Sequence, residues 1–101
     1  MFRFILLLVI MIVTAVPAAA GVSVFACEPE WAALAQEVGG DRVVATSATT
    51  ALQDPHRIQA RPSLIAKMRK ADLVICTGAG LEAGWLPLLL RRANNPRVQP
   101  G

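Results

Sequence analysis

An α/β fold with a short parallel sheet is what this sequence predicts, on three observations. Short apolar runs rich in β-branched residues recur at Val22–Cys27, Val43–Thr46 and Asp72–Cys76. Apolar positions at helical spacing fill the intervals after them. Turn chemistry (Gly39-Gly40, the glycines of 78–84, Asn94-Asn95-Pro96) falls where the pattern changes type. Strands alternating with helices at this spacing imply βαβ crossovers, which close right-handed onto a parallel sheet.

The first 20 residues stand outside that pattern. Arg3 supplies a positive start, Ile5–Val13 an unbroken apolar run, and Pro17 breaks any helix ahead of Ala18-Ala19-Ala20, a small-residue cleavage pattern. Residues 1–20 are therefore expected to be a secretory signal peptide cleaved after Ala20, which implies export. A retained anchor is the competing reading, but the run falls short of the roughly 17–25 residues of a membrane span. A lipoprotein reading fails on Phe25-Ala26, a poor match ahead of Cys27. Residues 21–101 form the remaining domain. Losing Arg3 lowers the net charge from +3 to +2. So small and evenly spread a charge argues against a nucleic-acid partner, which calls for a basic face or stripe. With two cysteines the domain is no disulfide-dense scaffold and depends on an apolar core.

Each element has its own warrant. Val22–Cys27 reads as a buried strand. Glu28-Pro29-Glu30 suits a helix N-terminus, where Pro lacks only an N–H that has no partner anyway and acids meet the positive end of the dipole. Trp31, Leu34, Ala35 and Val38 recur at i, i+3, i+4 and i+7, predicting one buried stripe. Gly39 or Gly40 then ends the helix in a left-handed conformation. Val43–Thr46 is the second strand. Periodicity is lost from Ser47 to Ala60. Pro62 opens a second helix whose face is Leu64, Ile65, Met68 and Ala71, with Lys67, Arg69 and Lys70 complementing the dipole at its end. Asp72–Cys76 is the third strand. Thr77-Gly78-Ala79-Gly80 turns out of it, and the stretch from Leu81 leads into an apolar helix ending near Arg91-Arg92. Trp31 and Trp85 are both placed for core packing.

The chemistry concentrates in Leu52-Gln53-Asp54-Pro55-His56-Arg57, which holds the sole histidine. Pro55 fixes its own φ and biases Asp54 towards an extended backbone, so His56 is carried on a stiffened loop. Neutral imidazole is the commonest metal ligand and a neighbouring carboxylate commonly sets its tautomer. Asp54 is placed to do that or to cap the turn. A solvated surface histidine is the plain alternative. Against it, ligands collect at the carboxyl ends of parallel strands, where this loop, the Cys27-Glu28 junction and the 76–82 turn all fall.

Cys27 and Cys76 end the first and third strands and are open to three readings: a disulfide, inert buried thiols or soft metal ligands. Gly78-x-Gly80-x-x-x-Gly84 has the look of a dinucleotide turn. No acidic residue follows about 20 positions on to hold a ribose, so a tight turn is the better account. Glu82 is placed to cap the following helix or to support the histidine loop, capping being favoured. No nucleophile–base pair and no second histidine offer themselves, so enzymatic catalysis is not expected.

Taken together, Cys27-Glu28-Pro29-Glu30-Trp31, Gly40-Asp41-Arg42-Val43, Gln53-Asp54-Pro55-His56 and Ala71–Val74 through Gly78–Glu82 resemble the metal-specific solute-binding proteins of zinc and manganese ABC transporters. The resemblance covers Val22 to Gly101. It implies the N-terminal lobe of a two-lobed α/β protein that carries Zn²⁺ or Mn²⁺ as transported ligand to a membrane permease. It also implies His56 as the first metal ligand, with Asp54 behind it, and remaining ligands outside this chain. A monomer is expected. Because zinc takes about four ligands, the 101-residue chain alone should hold metal weakly or not at all. The alternative from another class is an exported structural or interaction module without metal chemistry.

Overall fold

A computed structural model of the protein describes residues 21–100, so the expected signal peptide lies outside the described residues. Three strands, β1 (Val22–Ala26), β2 (Val43–Ser47) and β3 (Leu73–Ile75), form one sheet in the order β2-β1-β3. Both pairings are parallel, with Val22 opposite Val43 and Val24 opposite Leu73. Helices α1 (Pro29–Gly39), α2 (Pro62–Arg69) and α3 (Leu86–Ala93) fill the crossovers and the end. The α/β class and the short parallel sheet with flanking helices are as the sequence predicts.

Side-chain alternation divides the sheet's two faces. Phe25 points to the face covered by α2 and α3, where it joins Cys27, Leu64, Met68, Trp85 and Leu89 in a fully buried core. Val24 and Ala26 point the other way, beneath α1, and are equally buried.

On α1 the predicted stripe is rotated from the real one. Leu34 is 52% and Val38 79% exposed, and no residue of the helix is fully buried. Trp31 and Ala35 of the predicted stripe are half-buried, and Ala32 and Gly39 join them where Leu34 and Val38 were expected. Small residues bring the helix axis close to the sheet, and a Cβ on Gly39 would collide with the Val43 side chain. Close approach thus outweighs the burial of bulky leucine and valine. Gly40, at φ 54, is the residue that ends the helix, its N–H donating to the Gln36 carbonyl. The Gln36 amide then spans the outer edge of β2: it donates to the Val43 carbonyl at 2.8 Å and accepts from the Ala45 N–H at 3.3 Å.

The stretch from Leu81 is turn, not helix, as far as Trp85. Gly78, Ala79 and Gly80 have φ of 81, 55 and 83, which no helix admits. Pro87 also confines the helix start to its immediate neighbourhood, because in the second turn it would remove a ladder hydrogen bond at a cost of about 3 kcal/mol. Asn94, left-handed at φ 48, closes α3. Asn95 is buried and its amide donates to the carbonyls of Met68 (2.9 Å), Arg69 (3.2 Å) and Ala71 (2.7 Å), serving as a borrowed C-cap for α2.

Candidate metal loop

All three strands run in the same sense, so the loops that leave them gather at one rim. Ala48 still donates to the Ala26 carbonyl at 2.8 Å, and Thr49 Oγ1 donates to the Cys27 carbonyl at 2.8 Å, anchoring the start of the loop across that rim. From there Asp54 folds an Asx turn: its Oδ1 accepts the His56 N–H at 3.0 Å, and its carbonyl accepts the Arg57 N–H at 3.0 Å. The same Oδ1 lies 2.8 Å from His56 Nδ1.

That last contact sets the chemistry of the ring. A carboxylate oxygen only accepts, so Nδ1 carries the proton and Nε2 keeps its lone pair for a cation. The His56 side chain is 64% exposed, so Nε2 is open to solvent ions. The Asp54 carboxyl is held below the ordinary carboxylate range, first by the His56 backbone N–H, then by the His56 ring, with Arg57 adding a favourable charge. It therefore stays ionised at neutral pH.

What holds the loop is Trp85. Its indole Nε1 donates to the Pro55 carbonyl at 2.7 Å, one residue before the histidine, while the ring is buried in the core. Gly84 stands next to the His56 carbonyl with too little room for a side chain to enter comfortably. A core tryptophan thus carries the loop on its polar edge. Its burial is as expected from the sequence, although Trp85 precedes the helix, whereas the contact to Pro55 leaves no mark in either local sequence.

A second constellation lies on the same rim. Cys27 and Cys76 are joined by a disulfide with Cα atoms 4.8 Å apart, closing the carboxyl ends of β1 and β3. Glu28 is the N-cap residue of α1 but makes no capping bond. Its Oε1 instead accepts from Thr77 Oγ1 at 2.7 Å and Thr77 N–H at 3.2 Å, and the Trp31 indole donates to that same hydroxyl at 2.8 Å. Trp31 is accordingly only half-buried, its polar edge engaged in this network. Glu82 does not cap α3 with its side chain. Its Oε1 accepts the Gly78 N–H at 2.8 Å, bracing the run of positive φ. Both glutamates are 3% exposed, and the Oε2 of each has no partner. Burial pushes the Glu82 carboxyl up; the Gly78 N–H opposes this, and the neighbouring Glu28 carboxyl adds to it. Sequence reasoning missed Glu28 as a buried acid, although its place directly after the first strand was a usable signal.

A short three-stranded parallel sheet with flanking helices is, by class, an α/β lobe. The chain belongs to the family of the periplasmic component A of the zinc-uptake complex, whose model matches residues 24–100. Among curated proteins it is 32% identical over 64 residues to the manganese ABC transporter substrate-binding lipoprotein PsaA of Streptococcus pneumoniae. That match covers 60% of this chain and 21% of the relative, so the chain spans about a fifth of the relative's length.

Proposed function

We propose that the protein is the N-terminal lobe of an extracytoplasmic solute-binding component of a zinc or manganese ABC transporter. It captures the divalent ion and hands it to a membrane permease without chemical conversion. In this reading residues 1–20 direct export to the periplasm, the lobe acts within a monomer, and the ion is cargo. His56 is a ligand through Nε2, Asp54 fixes its tautomer, and Trp85 holds the loop.

The observation that carries the reading is the 2.8 Å contact between Asp54 Oδ1 and His56 Nδ1 on a loop pinned from the core. A solvated surface histidine needs no such pairing and no such anchor. One imidazole satisfies a quarter of a zinc ion's usual coordination, so the chain's own affinity is weak and the other ligands come from elsewhere. Between zinc and manganese an imidazole and oxygen donors do not choose.

The test is a Zn²⁺ titration of the oxidised protein followed by the ¹⁵N resonances of the His56 ring. Nε2 is expected to move on binding and Nδ1 to remain protonated. His56→Ala should abolish this binding, and Asp54→Asn should weaken it by about tenfold. Zinc binding of the oxidised protein that is unchanged in His56→Ala would refute the assignment.

A further inference from the structure

The Cys27, Cys76 and Glu82 cluster is not used by the loop that presents His56. One ligand atom from each of the three lies within 4.8 Å of the other two. Cys27 is fully buried and Glu82 is 3% exposed with one oxygen unpartnered. Glu28, whose own Oε2 is also unpartnered, neighbours Glu82. A buried carboxyl group with an unsatisfied oxygen, close to two sulfurs and beside a second such carboxyl, is a cluster short of positive charge.

We propose that the dithiol form of the protein carries a second divalent-metal site of the zinc class, made by Cys27 Sγ, Cys76 Sγ and a Glu82 carboxylate oxygen, with water in the fourth position. Two thiolates and one carboxylate are a donor set suited to zinc, and soft sulfur discriminates against manganese. With Zn–S bonds of about 2.3 Å, two sulfurs on one tetrahedral zinc stand roughly 3.7 Å apart. Side-chain rotation on Cα atoms 4.8 Å apart reaches that separation without moving the strands. Glu28 touches no metal here; the Gly78 N–H, on Glu82 Oε1, is what orients the ligating carboxylate.

Metal and disulfide are then alternatives at one place. A dithiol reductant supplies two electrons and two protons, the Cys27–Cys76 bond breaks to two thiols, and the reductant leaves as its own disulfide. Zinc displaces the two thiol protons on binding. Oxidation runs the sequence backwards: each thiolate gives up an electron to a disulfide oxidant, whose own S–S bond breaks and which leaves as a dithiol after taking two protons from solvent, while the Cys27–Cys76 bond forms and the ion is released. The lobe thus holds zinc while reduced and surrenders it when the disulfide closes, whether or not His56 binds metal.

Cobalt is the probe, because thiolate ligation gives it a charge-transfer absorption and tetrahedral geometry gives it intense d–d bands. The protein carrying His56→Ala is reduced with a phosphine, freed of metal and titrated with Co²⁺ without oxygen. One equivalent is expected to saturate both bands, and one equivalent of Zn²⁺ to bleach them. The oxidised protein and Cys76→Ser should show neither. Glu82→Gln keeps the acceptor for Gly78 and should weaken cobalt binding by about tenfold or more. If reduction loosens the fold, zinc is expected to restore the native far-ultraviolet circular dichroism. Absence of the bands in the reduced protein, their survival in Cys76→Ser, indifference to Glu82→Gln, or a reduced chain that stays unfolded with zinc would each overturn the proposal.

Discussion

Replacing Trp85 by phenylalanine separates the two duties of that residue. The benzene ring keeps most of the packing within the buried cluster that holds Phe25, Leu64 and Met68, but the indole N–H to Pro55 disappears. Removing the donor and leaving that carbonyl dry costs about 1–3 kcal/mol. The narrower ring leaves a void of roughly 40 Å³ at a site that is 1% exposed, worth about 1 kcal/mol more. The expected loss is about 2–4 kcal/mol, which in a domain of this size lowers Tm by about 10–25 °C. Differential scanning calorimetry reads the first effect. Amide hydrogen exchange reads the second, because the His56 and Arg57 amides close the Asx turn and should exchange at least tenfold faster. Trp31→Phe is the control: its indole bonds a hydroxyl on a half-buried site, so its cost should stay near 1 kcal/mol. A Trp85→Phe protein that melts within about 4 °C of wild type, with His56 and Arg57 exchange unchanged, would show that the loop stands without the tryptophan.

Other substitutions bear on the rest of the frame. Asn95→Ala strips a cap from three buried-end carbonyls and should destabilise by about 2–4 kcal/mol in urea denaturation. Cys27→Ala with Cys76→Ala opens a loop of 49 residues, for which chain entropy predicts a loss of about 4 kcal/mol by the same assay. The pH dependence has two opposite arms. The folded pKa of Asp54 is depressed, so its contribution is complete above the unfolded value of about 3.9 and is lost as pH falls through the lower folded value; Asp54→Asn should remove that acid limb. The folded pKa of Glu82 is raised, so its contribution is complete below about 4.3 and fades as pH climbs through the folded value. Glu82→Gln should flatten this upper limb and, by offering an N–H to Glu28, raise stability at pH 7 by about 1 kcal/mol in equilibrium unfolding.

The strands and α2 were legible because a β-branched run or a proline-led stripe declares itself locally. So was the convergence of Asp54, His56, Cys27 and Cys76 on one rim, which follows from parallel strands alone. The rotation of α1 was not, since Leu34 and Val38 at helical spacing look buried to any periodicity argument, and only the packing of Gly39 on Val43 decides otherwise. The late start of α3 was readable from Pro87 but masked by the leucines ahead of it. The partnerships of Trp85 with Pro55, of Glu28 with Thr77 and of Asn95 with the end of α2 join residues 30, 49 and 27 positions apart. Nothing in a single sequence couples such pairs.

The glutamine lying along β2 makes the two borders of the sheet unlike each other. A side-chain amide imitates one rung of a neighbouring strand and occupies the donor and acceptor that a newcomer would need. Lateral growth across the β2 border, whether by assembly or by misassociation, is thereby opposed. Removing that single amide would open the guarded border and let copies of the protein stack edge to edge.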